Sequence, residues 1–468
     1  MNKKFKSHFE YQKVIFIICI IGALGGLLFG LDQGFIANSL FIINDIYDLN
    51  VQDGERYSSV LSWGGILGAC FSGFFSRIWG RKKSLVLVGF FFSSLSIISA
   101  LLPPFHILIF CRFGLGFSVG FASFVVPLYL SETAPSSIRG SMSTVFQLMI
   151  TIGIFFISLS SLLIIKFFGS VELSLTLMFS VIVFFSLIML VGSLFLPESP
   201  RWLLLKGKEE QALKVLEKVR YSSLDIQNEF SEIKKSINKK SNTSIKFLGN
   251  IFFWKILLIG ISLQIFQQLV GINIMIYYAP TIFSYIEIDN LVMFLAIPTF
   301  NMLFTFPAIR WIEKLGRKNL LYLGSIIMMF SMASLALVFL YIESTNFPNY
   351  ICKILLLTFS IIYIFGFACS WGPVVWVVCA EIFPIKVREI GITVTTMFNW
   401  LFSGFITGNA LTFIKLYGVS SIFFVFSGFC ALSIIFLKLF LPETKGISLE
   451  KIQKKLESEL ILKKNKLK

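Results

Sequence analysis

Two residues of opposite charge lie within long apolar stretches of the sequence. Asp32 follows glycines spaced four residues apart, and Arg112 opens a second stretch that is rich in glycine. An ionised side chain in hydrocarbon costs at least about 2.5 kcal/mol, so each charge needs a partner or a role. One interpretation is a permanent ion pair that only holds two helices together. The other is a proton site, because a movement that changes the distance between carboxyl and guanidinium also changes the proton affinity of the carboxyl.

A second group of candidate residues consists of amides and tryptophans in other apolar stretches. Amide side chains both donate and accept hydrogen bonds, which suits a neutral ligand that carries hydroxyl groups. An indole ring offers a flat surface to the apolar face of such a ligand. For any one of these residues, a hydrogen bond between two helices is an equally good interpretation. The candidate binding residues are Gln147, Gln267, Gln268, Asn273, Asn301, Trp376, Asn399 and Trp400.

These residues lie on elements that the composition predicts to cross a membrane. Of the 468 residues, 56% are hydrophobic and only 14% are charged, about half the charged share of a typical soluble domain. A helix of about 20 apolar residues crosses a hydrocarbon core. The chain offers twelve such runs, near residues 14–36, 57–76, 84–102, 107–130, 141–165, 173–196, 252–283, 290–309, 320–342, 352–380, 390–414 and 419–441. The predicted fold class is an all-α integral membrane protein with twelve transmembrane helices.

The net charge of +16 is distributed unevenly among the predicted loops. With the N-terminus in the cytoplasm, four of the 41 Lys and Arg fall on the outer side, Arg112 lies within a span, and the other 36 fall on the inner side. This asymmetry satisfies the positive-inside rule and predicts that both termini are cytoplasmic. Because the positive-inside rule explains the excess of Lys and Arg, this excess does not indicate nucleic-acid binding. We expect the chain to be surrounded by a lipid bilayer and to bind no nucleic acid.

The residue types that other chemistry requires are misplaced or absent. Six of the seven cysteines lie within predicted spans and no CxxC pair occurs, so we predict neither a metal site, nor a disulfide, nor a cofactor. The two histidines, His8 and His106, lie outside the spans. No nucleophile is accompanied by a base and an orienting group, and we therefore predict no catalytic residues and no enzyme.

Motifs that occur twice divide the chain into two related halves. The pairs are Gly80-Arg81-Lys82 with Gly316-Arg317-Lys318, Glu132 and Arg139 with Glu381 and Arg388, and Pro197-Glu198 with Pro442-Glu443. All of them fall on the predicted cytoplasmic side, which indicates two parallel six-helix repeats with a binding site between them near the midplane. The predicted domains are a six-helix bundle at 1–196, a cytoplasmic linker with short amphipathic helices at 197–250, a second bundle at 251–441 and a cytoplasmic tail at 442–468.

Longer motifs connect the chain to a known family. They include Gly26-Leu27-Leu28-Phe29-Gly30-Leu31-Asp32, Pro127-Leu128-Tyr129-Leu130-Ser131-Glu132, Pro197-Glu198-Ser199-Pro200-Arg201-Trp202, Gln267-Gln268-Leu269-Val270-Gly271-Ile272-Asn273 and Pro442-Glu443-Thr444-Lys445-Gly446. Over nearly its whole length the chain resembles the sugar porters of the major facilitator superfamily, and in particular bacterial galactose/proton symporters. The resemblance implies the major facilitator fold and a bacterial inner membrane.

The resemblance also implies roles for individual residues. Asp32 corresponds to the carboxylate that takes up the proton in the symporters of the family. The amides named above, with Trp376, correspond to its sugar contacts. A network of charges on the cytoplasmic side would latch that side in the outward-facing state. Ordinary positive-inside charge is the alternative interpretation, but acids and bases recur together at matched places in both halves, which favours the latch. The residues of this network are Arg77, Arg81, Glu132, Arg139, Glu198, Arg317, Glu381, Arg388 and Glu443.

The sequence therefore predicts a transporter that imports a hexose of the galactose or glucose type together with a proton, by alternating access and as a monomer. A facilitator without proton coupling and a proton symporter for a pentose or inositol are the alternatives, and a sugar sensor that does not transport is more distant. Three departures from the family pattern concern gating and substrate choice, and they are Leu31, Ser76 and the run Leu173-Ser174-Leu175-Thr176-Leu177-Met178.

Overall fold

The protein is helical throughout the part of the chain that the computed structural model describes, which is residues 8–134, 139–238, 251–284, 290–345, 349–383 and 387–445. No β-strand occurs in these ranges. The first six helices are α1 (His8–Tyr47), α2 (Val51–Trp79), α3 (Arg81–Ala100), α4 (Phe105–Thr133), α5 (Arg139–Phe167) and α6 (Val171–Phe195). Three short helices follow them, α7 (Pro200–Leu205), α8 (Glu209–Val219) and α9 (Ser223–Asn238).

The second half contains longer helices and short segments. Its helices are α10 (Ile251–Leu269), α11 (Ala279–Ser284), α12 (Asn290–Leu315), α13 (Arg317–Thr345), α14 (Tyr350–Gly366), α15 (Gly372–Ile382), α16 (Arg388–Thr407), α17 (Ala410–Tyr417) and α18 (Val419–Phe440). Two π-helical segments, Ile274–Tyr278 and Phe367–Trp371, lie between α10 and α11 and between α14 and α15. Each of these pairs therefore forms one interrupted span, Ile251–Phe283 and Tyr350–Ile382.

Eleven helical segments in the described ranges are long and apolar enough to cross a membrane. They coincide with eleven of the twelve predicted spans. At the place of the eighth predicted span lies α12, which is 26 residues long and packs against α5 and α14. The arrangement is therefore consistent with twelve spans, although α1 reaches Tyr47 and is longer than the predicted run 14–36.

The same three helix pairs occur in both halves. In the first half α1 packs on α5, α2 on α4 and α3 on α6, and in the second half α10 packs on α16, α12 on α14 and α13 on α18. The pairs correspond one to one when the first six spans are matched in order with the last six, as expected of a parallel repeat. Between the halves, the most extensive contacts are those of α2 with α16 and of α5 with α12, which are themselves equivalent.

Glycines bring the helices of these pairs into backbone contact. A Cβ added at Gly30 on α1 would lie 1.9 Å from the carbonyl oxygen of Ile150 on α5, and one added at Gly153 would lie 2.3 Å from that of Leu27. Neither position can hold a larger residue unless the helices move apart. The glycine stripe that precedes Asp32 thus fits α1 against α5, and this contact fixes the rotation of α1 about its own axis.

Three short helices, α7, α8 and α9, lie in the segment that the sequence assigns to the cytoplasmic linker. Ala212, Leu216 and Val219 form the buried face of α8. Arg220 follows α8 and attaches the linker to the end of α4, because its guanidinium donates hydrogen bonds to the carbonyl oxygens of Thr133 and Ala134 at 2.9 and 3.0 Å. The linker residues 239–250 and the tail residues 446–468 lie outside the described part of the chain.

We predict that Gly30→Ala lowers the stability of the bundle by about 1–3 kcal/mol, the usual cost of overpacking, because the new methyl group would press on the α5 backbone. Gly428→Ala on α18 is the matched control, since a Cβ at Gly428 meets no atom within 4 Å. The measurement is the melting temperature of each purified variant in the same detergent. Equal melting temperatures for the two variants would contradict the close contact between α1 and α5.

Candidate functional site

An ion pair connects α1 and α4 in the interior of the first half. Nη1 of Arg112 donates a hydrogen bond to Oδ1 of Asp32 at 2.5 Å, and Nη2 lies 3.5 Å from the carbonyl oxygen of the same residue. Asp32 is 0% exposed and Arg112 is 1% exposed. The two charges that the sequence places in apolar runs therefore neutralise each other.

The surroundings of the pair leave part of each group without a partner. The Arg112 guanidinium carbon lies 5.3 Å from the ring centroid of Tyr57 and 5.9 Å from that of Phe35, distances at which aromatic faces stabilise a cation. Oδ2 of Asp32 and Nε of Arg112 have no hydrogen-bond partner among the described residues. Because arginine keeps its charge in proteins, the carboxyl is the member of the pair that can change its protonation state.

A cavity with about 550 Å³ of empty space lies between the two halves. All eight predicted binding residues line this central cavity, although they come from five different spans, and they are Gln147, Gln267, Gln268, Asn273, Asn301, Trp376, Asn399 and Trp400. Gln33 lines it as well. Since Gln33 directly follows Asp32 on α1, the wall of the central cavity and the ion pair are adjacent along the chain.

Hydrogen bonds among the amides fix their orientation in the cavity wall. Nδ2 of Asn399 donates to Oε1 of Gln267 and to Oε1 of Gln264, both at 2.7 Å. Nδ2 of Asn273 donates to Oε1 of Gln268 at 2.7 Å. An amide held by one hydrogen bond keeps further donor or acceptor capacity. The polar part of the wall thus contains two hydrogen-bonded groups of amides, which lie among apolar side chains.

The interrupted spans provide part of this surface. Nε2 of Gln267 donates to the carbonyl oxygens of Trp371 and Gly372 at 2.8 and 3.2 Å, at the end of the second π-helical segment. The first π-helical segment follows Gly271, whose φ of 95° suits glycine. Gly271 and Pro280 lie in the first interrupted span, and Gly372-Pro373 lies in the second. Irregular backbone inside a membrane protein is stable where it lines a cavity.

Two polar atoms in the wall of the central cavity are buried and unpartnered among the described residues. They are Oδ1 of Asn301 and Nε1 of Trp400. Asn301 is 3% exposed and Trp400 is 2% exposed. A buried polar group without a hydrogen bond is unfavourable, so a ligand that brings one acceptor and one donor to these atoms would relieve that cost.

Sequence reasoning missed several residues of the central cavity. Gln33, Phe29 and Ser403 line it, and Gln264 orients Asn399 from just outside. For Gln33 a signal was available, because a polar residue that directly follows a buried carboxylate in an apolar run has the same need for a partner as the amides. No group of three or more His, Cys, Asp and Glu side chains in the described ranges is placed to hold a metal ion.

A second cluster of charges lies where α2 meets α3, and we call this end of the bundle the charged end. Nε and Nη2 of Arg81 each donate to a carboxylate oxygen of Glu132 at 2.9 Å. Glu198 accepts hydrogen bonds from the backbone amides of Arg81 and Ser199 at 2.9 and 2.8 Å. Burial raises the pKa of the Glu198 carboxyl, while these amides oppose the increase. The hydroxyl of Ser199 donates to Glu132 at 2.5 Å and closes the cluster.

The second half repeats this arrangement with equivalent residues. Arg317 donates to Glu381 at 2.9 Å, and its backbone amide donates to Glu443 at 2.9 Å. Thr444 takes the place of Ser199 and donates to Glu381 at 2.7 Å. The motif repeat therefore corresponds to a repeated structure.

Not all of the predicted charge network is present as ion pairs. Arg77 forms none with a described residue, and Nε of Arg388 donates to the carbonyl oxygen of Phe383 at 3.3 Å. The side chain of Arg139 lies outside the described part of the structure. Among the described residues, an ion pair between Arg81 and Glu389 at 3.5 Å crosses between the halves, and Glu389 is not one of the residues predicted for the network.

The helix pairing and the central cavity define a transporter of the major facilitator superfamily. A solved structure of the major facilitator superfamily proton:xylose symporter XylE, bound to 6-bromo-6-deoxy-D-glucose, matches with a TM-score of 0.81 and 28% identity, and the match covers 94% of this chain and 99% of that one. An inward-open structure of the xylose transporter XylE from E. coli matches with a TM-score of 0.79.

The sequence comparisons narrow this class to one family. Residues 18–456 match the family described as sugar (and other) transporter. The galactose-proton symporter of Escherichia coli is 37% identical over 450 residues, which cover 95% of each chain. The arabinose-proton symporter of the same organism is 34% identical, with coverage of 96% of this chain and 94% of that one. The chain belongs to the sugar transporter family and is a multi-pass membrane protein.

The two halves offer a test of the charged end, because their equivalent ion pairs differ in burial. The side chains of Arg81 and Glu132 are 2% and 7% exposed, whereas those of Arg317 and Glu381 are 8% and 31% exposed. We predict that Glu132→Gln costs about 3–5 kcal/mol, since it leaves a buried guanidinium with only the more distant and exposed carboxylate of Glu389, at 3.5 Å.

The matched variant Glu381→Gln should cost at most about 1 kcal/mol, because water reaches that carboxylate and Glu313 also pairs with Arg317 at 3.0 Å. Melting temperatures in detergent measure both losses. Equal losses would mean that burial does not determine the strength of these pairs.

Proposed function

We propose that the protein imports a hexose together with a proton by alternating access of the central cavity to the two sides of the membrane. The observation that carries this proposal is the buried Asp32–Arg112 pair, adjacent along α1 to a cavity wall of amides. A fixed structural pair has no need of such a position. The relatives named as galactose- and arabinose-proton symporters support coupling to a proton.

Asp32 serves as the proton site in this proposal. When the carboxyl is protonated, its attraction to Arg112 is lost, and α1 and α4 gain freedom to shift relative to each other. When the proton leaves, the ion pair forms again and favours the compact arrangement. A proton that follows a membrane potential of about 150 mV releases roughly 3.5 kcal/mol. This energy corresponds to a sugar concentration ratio of several hundred.

The sugar binds in the central cavity in this proposal. Gln147, Gln267, Gln268, Asn273, Asn301 and Asn399 offer donors and acceptors to its hydroxyl groups, and Trp376 and Trp400 offer indole surfaces to its apolar face. A 34% to 37% identity to galactose and arabinose symporters leaves both hexose and pentose within the chemistry of this wall. We propose a hexose because the galactose relative shares the higher identity.

The orientation of the chain follows from its basic residues. We propose that both termini and the linker helices are cytoplasmic, that residues 1–196 and 251–441 form the two moving bundles, and that a single chain surrounded by lipid is sufficient for transport. The charged end is then the cytoplasmic end. The Arg81–Glu389 pair, which crosses between the bundles, belongs to the proposed latch that must open when the cavity faces the cytoplasm.

We predict that Asp32→Asn abolishes accumulation of the sugar above its external concentration while exchange of internal for external sugar continues, because a neutral amide cannot carry the proton. Accumulation of labelled hexose in energised vesicles, with external pH recorded, measures the first effect, and counterflow measures the second. Asp45→Asn is the control, since Asp45 is exposed at the end of α1. Accumulation by Asp32→Asn at the native level would refute the proton role, and loss of counterflow would point to damage of the fold.

We predict that Gln267→Ala and Asn273→Ala each weaken sugar binding roughly tenfold or more, because each removes a hydrogen-bonding group and leaves a buried partner unsatisfied. Binding to the purified protein is measured by calorimetry with galactose, glucose and xylose. Asn409→Ala is the control, since the exposed Asn409 amide donates to the carbonyl oxygen of Phe405, away from the cavity. Native affinity in both cavity variants would assign these amides to helix packing.

A further inference from the structure

Glu55 connects the two halves at the end of the bundle opposite to the charged end. It lies in the second turn of α2 and is 3% exposed. Its carboxylate accepts a hydrogen bond from the backbone amide of Thr412 at 2.7 Å and from the hydroxyl of the same residue at 2.6 Å. Thr412 belongs to α17, so both hydrogen bonds cross from one half to the other.

The contact supplies a cap that α17 lacks within its own half. The first amides of a helix have no partner inside the helix. Asn409 precedes α17 but makes no capping hydrogen bond with its side chain, which donates to the carbonyl oxygen of Phe405 instead. Glu55 takes over this role, and its negative charge suits the positive end of a helix. When the halves separate at this end, α17 therefore loses its cap.

Small side chains continue this contact from Glu55 towards the central cavity. A Cβ at Gly408 on the α16 side would lie 3.1 Å from Cβ of Ser59, and the hydroxyls of Ser62 and Ser403 lie 3.1 Å apart. Ser403 in turn accepts a hydrogen bond from the cavity amide of Asn273 at 2.9 Å. Close contacts between small residues thus extend along the interface of α2 and α16 from the central cavity towards Glu55.

We propose that the Glu55–Thr412 contact is the outer seal of the transporter, which holds the two halves together when the cavity is closed to the outside. The inference rests on the proposed function, because only a carrier with alternating access needs a contact that forms and breaks at this end. The Arg81–Glu389 pair occupies the opposite end, since Glu55 lies near the start of α2 (Val51–Trp79) and Arg81 lies just beyond the end of that helix. Removal of the seal shifts the population towards the outward-open state.

Glu343 provides a matched control, because it makes the same type of contact within one half. It lies on α13 and accepts hydrogen bonds from the backbone amides of Val419 and Ser420 at 2.7 and 3.1 Å and from the Ser420 hydroxyl at 2.5 Å. Both partners belong to the second half. Glu343→Ala therefore removes a carboxylate cap from a helix but leaves the contact between the halves intact.

The test measures how readily the outer seal opens and lets a reagent enter from the outside. A cysteine is introduced by Ala37→Cys, since Ala37 lines a smaller cavity that lies along α1 beyond the central one, on the Glu55 side. Intact cells that express the full chain are treated with a membrane-impermeant maleimide. The labelling rate of the chain with only its seven native cysteines is measured separately and subtracted as background.

We expect Glu55→Ala to raise the labelling rate of this cysteine about tenfold, because the variant loses two partly buried hydrogen bonds between the halves. Thr412→Val, which removes only the hydroxyl, should raise it at least about twofold. Glu343→Ala should leave it at the native rate. If Glu55→Ala does not reach the membrane, the labelling rate of Thr412→Val tests the inference by itself.

Unchanged labelling in both seal variants, or the same increase in Glu343→Ala, would overturn the inference. The assay needs neither sugar nor a proton gradient. A failure of sugar or proton transport would therefore appear in the uptake experiments and not in this assay, so the failures of the two proposals can be distinguished.

Discussion

The need to neutralise two charges inside an apolar bundle constrains the first half of this protein. Asp32 and Arg112 are tolerated there because they contact each other directly at 2.5 Å, and an unpaired ion in the same place would cost several kcal/mol. To make this contact, α1 must present Asp32 to α4 while its glycines meet α5. The rotation of α1 then places Gln33 in the wall of the central cavity. The ion pair and the glycine contact together thus determine which residue of α1 lines the cavity.

The two halves share the same helix packing but differ in the functional residues that they contain. The same helix pairs and the same carboxylate clusters at the charged end occur in both. The buried ion pair belongs to the first half, whereas the interrupted spans and most of the cavity amides belong to the second. Coupling between proton and sugar must therefore pass across the interfaces of α2 with α16 and of α5 with α12. The contacts at the two ends of α2 lie on that route.

Much of this arrangement could be predicted from the sequence, because helices in a membrane must be long and apolar and because buried polar groups need partners. These rules identified the spans, the Asp32–Arg112 pair and the eight residues around the central cavity. They missed Gln33, Glu55 and Glu389, since an isolated polar residue in a span or near a loop gives no sign of which neighbour it will face. Arg388 was assigned to the charge network from its place in the repeat, but its Nε bonds to a carbonyl oxygen. Helix rotation and loop conformation decide such contacts, and both depend on packing between distant segments.

The claim that Asp32 changes its protonation state is tested most directly by infrared difference spectroscopy of the purified protein in lipid between alkaline and acidic pH. The proposal predicts a carbonyl stretch from a protonated carboxyl group that is present in the native protein, absent from Asp32→Asn, and displaced along the pH axis when sugar is added. Identical difference spectra for the two proteins, with and without sugar, would contradict it. In that case Asp32 and Arg112 would form a permanent ion pair.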